Sequence, residues 1–94
     1  MSKWLQSGRR RDICIIVAGE GEVQAQGIKA ELARRYDERI DPRSFRGALE
    51  ALVETKFLET RTEGLHDVYT LTAAGENRLH EQFEWMREQL DRRD

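Results

Sequence analysis

Two arginines lie three residues apart in the stretch "DPRSFRGALEALVETKFLETR" at 41–61, where they begin the polar face of a predicted helix. Arg43 lies away from the apolar stripe of the same helix, and Arg46, one residue past Phe45, also faces outward. A guanidinium can bind a phosphate or the edge of a guanine through two parallel hydrogen bonds. Ser44 and Gly47 are small, and Gly47 would let the helix lie close to a double helix. We therefore predict that this helix end contacts DNA.

A simpler interpretation of the same arginines stays open at this point. Asp41 precedes Arg43 closely and could form a surface ion pair with it. Glu50 follows Arg46 by one helical turn and could pair with it in the same way. We expect Glu50 and Glu54 to lie in a more distant zone, where repulsion from phosphate matters less.

Further polar residues are predicted to contact DNA from three other segments. Contacts of a protein with phosphate set its register on DNA, whereas contacts with bases read the DNA sequence. The run "RRR" at 9–11 opposes the dipole of the first helix, so a compensating phosphate, Asp12 or a partner's acidic helix is expected there. The predicted contacts are Arg9 and Arg10 in the first helix, Gln26 and Lys29 in the second, and Arg61, Thr62 and His66 in a hairpin.

The composition suits one small folded domain. The chain has 94 residues, of which 38% are hydrophobic and 36% are charged, and its net charge is −2. Between residues 9 and 46, nine basic side chains outnumber seven acidic ones, so the negative charge lies mainly in the second half. The longest apolar run, at 13–18, is too short to cross a membrane, and no signal-peptide pattern is present. We expect a cytoplasmic, nucleoid-associated protein.

Patterns typical of catalysis and metal binding are not found in the sequence. His66 and His80 are too far apart, and too poorly accompanied, to indicate a zinc site. The single cysteine, Cys14, excludes an internal disulfide, and its apolar neighbours favour a buried thiol over a redox sensor. No Ser-His-Asp, P-loop or glycine-rich dinucleotide pattern occurs. We therefore expect a protein that is not an enzyme and that binds no metal and no cofactor, while a small-molecule effector stays unassigned.

Apolar spacing predicts two helices before the third. The first covers 9–18, and Gly19 and Gly21 favour a left-handed exit from it. The second covers roughly 24–37. Gly27 inside the second helix costs about 1 kcal/mol relative to alanine, which suggests the close approach of another backbone.

The third helix is the most strongly patterned segment. Asp41 is a good N-cap, and Pro42 suits the first helical position because its missing N–H is not needed there. Its apolar stripe consists of Phe45, Ala48, Leu49, Leu52 and Val53. The runs "FLETRT" and "DVYTLT" then predict a β-hairpin whose loop, "EGLH", has four or five residues. We expect Thr72 to cap a fourth helix that starts after "AAGE" and ends near Leu90.

This order of elements is that of a winged helix-turn-helix. We predict a mostly α fold with a small β-hairpin, in the order α-α-α-β-β-α, as one domain over 1–94. Residues 9–72 would form the DNA-binding core, and 73–92 would form a C-terminal dimerisation helix with a heptad-type apolar seam. The residues predicted for dimerisation are Leu79, Phe83, Trp85, Met86 and Leu90 of that helix and Trp4 and Leu5 of the N-terminal arm. The alternative is that this helix folds back on its own domain.

Two segments of the chain, 26–61 and 67–79, resemble the PadR-like family of transcriptional regulators. They share a glycine near the start of the second helix, an aromatic residue with two spaced leucines in the third, and "Y-x-L-T-x-x-G" after the hairpin. Three positions depart from the family pattern. Ile28 stands where an aromatic residue is common, Gln26 where histidine is frequent, and Lys56 where a glycine often ends the helix before the wing.

The resemblance implies a homodimer that binds double-stranded DNA at a short pseudo-palindrome and regulates transcription, as a repressor. A different class of protein fits the same fold: a winged-helix module that contacts other proteins, such as an antirepressor or an assembly adaptor, and does not bind DNA. The negative net charge and the acidic residues that flank the hairpin loop favour this alternative.

Overall fold

The computed structural model describes residues 8–93, and these form four helices and a three-stranded antiparallel sheet. The elements are α1 (Gly8–Glu20), β1 (Glu22–Gln24), α2 (Ala25–Tyr36), α3 (Pro42–Glu54), β2 (Leu58–Glu63), β3 (His66–Leu71) and α4 (Ala73–Asp91). The predicted fold class is confirmed, because three helices precede a hairpin and a fourth helix follows it. Within the described residues, no helix is both long enough and apolar enough to cross a membrane.

The short strand β1 was not predicted from the sequence. It pairs with β3 in antiparallel register, with Val23 opposite Tyr69, so the sheet order is β1-β3-β2. Three residues are too few to show an alternating pattern, and this strand forms because the edge of β3 lies beside it. Because α2 follows β1 directly, this pairing attaches the start of α2 to the wing.

The predicted hairpin loop of four or five residues is wrong. The pairing of β2 with β3 continues to Glu63 and His66, which leaves only Gly64 and Leu65 in the turn. Gly64 has a φ of +62°, and a glycine at the first turn position is typical of tight two-residue hairpins. The outer residues of "EGLH" therefore belong to the strands.

The predicted end of the first helix at residue 18 is two residues early. Helix α1 continues to Glu20, and Gly21 then adopts a φ of +83° while its N–H donates to the Val17 carbonyl over 2.8 Å. The expected left-handed exit is therefore made by Gly21 alone.

Among residues 8–93, no backbone of another element closely approaches Gly27, contrary to the prediction. Outside its own helix, a Cβ added to Gly27 would meet only one atom of these residues, Val23 Cγ2 at 3.0 Å, which belongs to a side chain. The near contact comes from β1, which the sequence did not predict.

The apolar stripe of α3 packs in the core, as predicted. It packs with buried residues from α1, α2 and the start of the wing. The buried core consists of Ile13, Cys14, Val17, Ile28, Leu32, Ile40, Phe45, Ala48, Leu49, Leu52, Phe57 and Leu58. Cys14 is fully buried, as expected for a thiol that contributes to packing.

The junction between α3 and the wing is a left-handed helix end with a lysine at its turning point. Lys56 has a φ of +70°, and its N–H donates to the Val53 carbonyl over 3.1 Å. The Phe57 N–H donates to the Leu52 carbonyl over 3.0 Å, which completes the pair of bonds of a Schellman motif. Glycine is the usual residue at this position, so the departure from the family pattern at Lys56 is also a departure from the favoured backbone chemistry.

The motif "Y-x-L-T-x-x-G" fastens α4 to that junction. The Thr72 hydroxyl accepts from the Gly75 N–H over 3.0 Å, which caps α4, and it lies 2.6 Å from the Lys56 carbonyl, to which it donates. A Cβ on Gly75 would lie only 2.3 Å from the Phe57 carbonyl oxygen, so only glycine fits. Helix α4 begins directly after its cap Thr72, at Ala73, so the predicted start after "AAGE" is wrong by four residues.

Candidate nucleic-acid interface

The N-terminal half of α3 forms an exposed surface above the core. Asp41 caps the helix by accepting the Ser44 N–H at 2.8 Å, and Pro42 occupies the first turn. Apolar residues on the opposite side of the helix bind it to the core, so its polar face points outward. The four residues predicted to contact DNA from this helix are all exposed, namely Arg43, Ser44, Arg46 and Gly47.

The arginines of α3 do not form the surface ion pairs that the simpler interpretation required. Among residues 8–93, no carboxylate oxygen lies within ion-pair distance of Arg43 or Arg46. The Asp41 carboxylate caps the helix instead. Both guanidinium groups therefore remain available for an external anion or base.

A groove of about 460 Å³ brings together polar residues from α2, α3 and the wing. Three of the predicted DNA contacts, Gln26, Lys29 and Arg46, line this groove. Glu50, Asp67 and Tyr69 line it as well, and the sequence did not place these three residues near the others. The pairing of β1 with β3 explains their position, since it sets the second strand of the wing beside the first turn of α2.

The wing places its predicted DNA contacts among carboxylates. The Arg61 Nη2 atom donates to Glu22 Oε1 over 2.8 Å, and its Nε atom donates to Glu63 Oε2 over 3.0 Å. The hydrogen bond to Glu63, followed by that to Glu22, raises the pKa of Arg61 above its ordinary value. Thr62 donates to Asp67 over 3.0 Å. Two of the three predicted wing contacts are therefore already engaged within the sheet.

The tip of the wing is apolar and open. Leu65 is 97% exposed in the two-residue turn, and the adjacent His66 is exposed as well. The predicted contact at His66 is thus accessible, but its immediate neighbours are a leucine and an aspartate.

The start of α1 carries its own network around a buried carboxylate. Asp12 is buried and accepts the Tyr36 hydroxyl at 2.6 Å, while Arg11 Nε lies 3.4 Å from its other oxygen. Burial and then the bond to Asp12 raise the pKa of Tyr36 to about 12. The Arg9 guanidinium lies 6.0 Å from the centre of the Tyr36 ring, and Arg10 is partly exposed. Asp12 is therefore one anion that compensates the positive charge of the arginines at 9–11.

Helix α4 presents an apolar stripe that its own domain covers only in part. Leu79 packs against the core, but Phe83 is 58%, Met86 is 47% and Leu90 is 58% exposed. Phe83 and Met86 line an apolar groove of about 890 Å³ between α4 and α1. Ile15, which is 50% exposed, lines the same groove from α1. Trp85 is also exposed. The other two predicted dimerisation residues, Trp4 and Leu5, lie outside the described residues.

These elements define a winged helix: three helices, a three-stranded sheet whose last two strands form the wing, and a further helix. No protein-family model matches the chain, and no curated protein sequence matches it.

Solved structures with this fold superpose closely on the chain. H. salinarum RosR gives a TM-score of 0.84 at 23% identity, over 88% of this chain and 76% of that one. The homodimeric winged helix-turn-helix DNA-binding domain from Mycobacterium bovis gives 0.69 at 23% identity, over 92% and 73%. Bacillus subtilis PadR in complex with operator DNA gives 0.64 at 20% identity, over 79% and 45%. The chain therefore shares the winged-helix fold of these proteins.

Proposed function

We propose that the chain is a sequence-specific double-stranded DNA-binding regulator of transcription that acts as a homodimer, as a repressor. The observation that carries the proposal is the exposed tip of α3, where Arg43 and Arg46 have no carboxylate partner among residues 8–93. In a helix-turn-helix, this part of the recognition helix enters the major groove. Gln26 and Lys29, which share a groove with Arg46, would contact the phosphate backbone.

The similar proteins support this proposal by what they bind. One similar structure is a DNA-binding domain, and another is a complex with operator DNA. A protein with this function would work in the cytoplasm at the nucleoid and would need no catalytic group. The finer grouping with PadR-like regulators is supported by "Y-x-L-T-x-x-G", whose threonine and glycine hold α4 against the wing.

Selection of bound duplexes from a random library, followed by binding measurements in increasing salt, tests the proposal. We expect log Kd to change linearly with log salt concentration, because phosphate contacts release counterions. Replacing Arg43 or Arg46 with alanine should reduce discrimination at one base pair by about 1–3 kcal/mol. Arg34→Ala is the matched control, because Arg34 is an exposed arginine that pairs with Glu31 outside the groove.

A second candidate function is a winged-helix module that binds another protein. The observation that favours it is the wing, where Glu22 and Glu63 engage Arg61 and leave a fully exposed Leu65 at the tip. The same experiment separates the two functions. If the library yields no preferred sequence, and if alanine at both Arg43 and Arg46 leaves any residual DNA binding unchanged, the DNA-binding proposal is overturned in favour of the protein-binding module.

A further inference from the structure

The charges on α3 are arranged differently from those on the neighbouring helices. On α2, Arg34 pairs with Glu31, and on α4 two further arginines pair with glutamates at the same helical spacing. Arg46 and Glu50 are also one turn apart on α3, yet neither takes part in an ion pair within the described part of the chain. Helix α3 therefore presents separate cationic and anionic groups to the outside.

Glu50 lies within the candidate interface and not behind it. It is exposed, and it lines the groove that also holds Lys29 and Arg46. It follows Arg43 by seven residues, so both lie on the same face of α3, about 10 Å apart along the helix axis. Glu54 is exposed one turn further on but does not line the groove. The sequence-based expectation grouped these two glutamates, and the structure separates them.

The chemistry of a carboxylate limits what Glu50 can contact on DNA. A carboxylate is negatively charged, so phosphate repels it. It also only accepts hydrogen bonds, and the major-groove edge of guanine offers no donor. Cytosine and adenine each offer an exocyclic amino donor in the major groove. On adenine the acceptor N7 lies beside that donor and disfavours a carboxylate, whereas cytosine has no acceptor there, so glutamate suits the amino group of cytosine. A base that offers no donor would leave the carboxylate desolvated and unpaired, which disfavours binding.

We infer that Glu50 is a specificity-determining residue that accepts a hydrogen bond from the N4 amino group of a cytosine in the major groove. This inference rests on the proposed DNA-binding function and assigns one base of the site that Arg43 and Arg46 help to bind. Glu50 also lowers the affinity for other sequences, since its charge repels the backbone of any DNA and only the hydrogen bond to that cytosine offsets the repulsion.

The test uses the duplex that the wild-type chain selects from a random library and variants of it with single base-pair changes. For the wild type, replacing one particular cytosine by thymine should weaken binding about 5- to 150-fold, as for a good base contact. Glu50→Ala should bind both duplexes within about twofold. Glu50→Gln should shift the preference at that position to adenine, because an amide matches the adenine edge. Glu54→Ala is the matched control and should keep the cytosine preference.

The outcomes separate this inference from the function on which it rests. If the wild type selects a sequence but Glu50→Ala keeps every base preference, the role of Glu50 is overturned while DNA binding stands. A wild-type preference for a base other than cytosine at the position sensitive to Glu50 also overturns it. If the wild type selects no sequence at all, the proposed function itself fails.

Discussion

At the residue scale, Lys56 has a side chain at a position whose left-handed backbone conformation favours glycine. Its φ of +70° closes the Schellman motif that turns the chain from α3 into the wing. A residue with a Cβ costs roughly 1–2 kcal/mol in this left-handed region, whereas glycine adopts it freely. A glycine at position 56 would therefore stabilise the folded chain, but part of this stabilisation would be lost because glycine also gives the unfolded chain more conformational freedom.

Lys56→Gly should therefore raise the free energy of unfolding by about 0.5–1 kcal/mol, as measured by urea denaturation. Lys56→Ala is the control, because it removes the charge but keeps the Cβ, and it should give no such gain. An equal gain in both variants would show that the charge of Lys56, and not its backbone conformation, opposes folding.

At the scale of elements, the contact between α4 and the end of α3 holds the wing in place. It depends on the cap made by Thr72 and on the close approach of Gly75 to the Phe57 carbonyl. The Arg78 guanidinium adds a contact 5.7 Å from the centre of the Phe57 ring. These bonds position both the wing and the start of α4, so the proposed DNA-binding and dimerisation surfaces share one structural support.

Gly75→Ala should lower the free energy of unfolding by about 2–3 kcal/mol, because the added methyl group would clash with a backbone carbonyl that cannot move alone. Gly47→Ala is the matched control, since no atom of the described residues outside the neighbouring backbone of its own helix lies within 4 Å of its added Cβ. It should raise stability by about 0.5–1 kcal/mol through helix propensity. Thermal unfolding that shows Gly75→Ala to be as stable as the wild type would contradict this packing.

At the scale of the whole molecule, the proposed dimer explains why α4 leaves its apolar stripe uncovered. The stripe is continuous with the groove against α1, where Ile15 adds further exposed apolar surface. A second copy related by a twofold axis would bury both surfaces and present two α3 helices on one side. A separation of about 34 Å between them would match successive major grooves of a palindromic site.

Sedimentation equilibrium should give twice the chain mass of 11.0 kDa for the wild type. Phe83→Asp should give the monomer mass and weaken binding to the selected duplex at least about tenfold, because a charge on the stripe prevents its burial. Leu65→Asp changes another exposed apolar residue on the wing and should remain a dimer. A monomeric wild type, or a dimer that persists in Phe83→Asp, would rule out α4 as the interface.

The sequence by itself determined the features that depend on near neighbours in the chain. The stripe of α3, its cap at Asp41 and the cap of α4 at Thr72 all arise from residues within one or two turns of each other, so their spacing alone predicts them. The exposure of Arg43 follows from the same periodicity.

Only the tertiary structure decided which distant residues meet. The pairing of β1 with β3 brings Glu22 to Arg61 and places Asp67 in the same groove as Lys29. The ion pair with Glu22 engages Arg61, which was predicted to contact DNA. The position of Asp67 completes the groove between α2, α3 and the wing, which the sequence did not predict. Such contacts join residues far apart along the chain, and no local pattern records them, because a three-residue strand takes its conformation from the strand it pairs with. The need for glycine at position 75 is a second example, since it comes from the Phe57 carbonyl in the junction between α3 and β2, far from Gly75 along the chain.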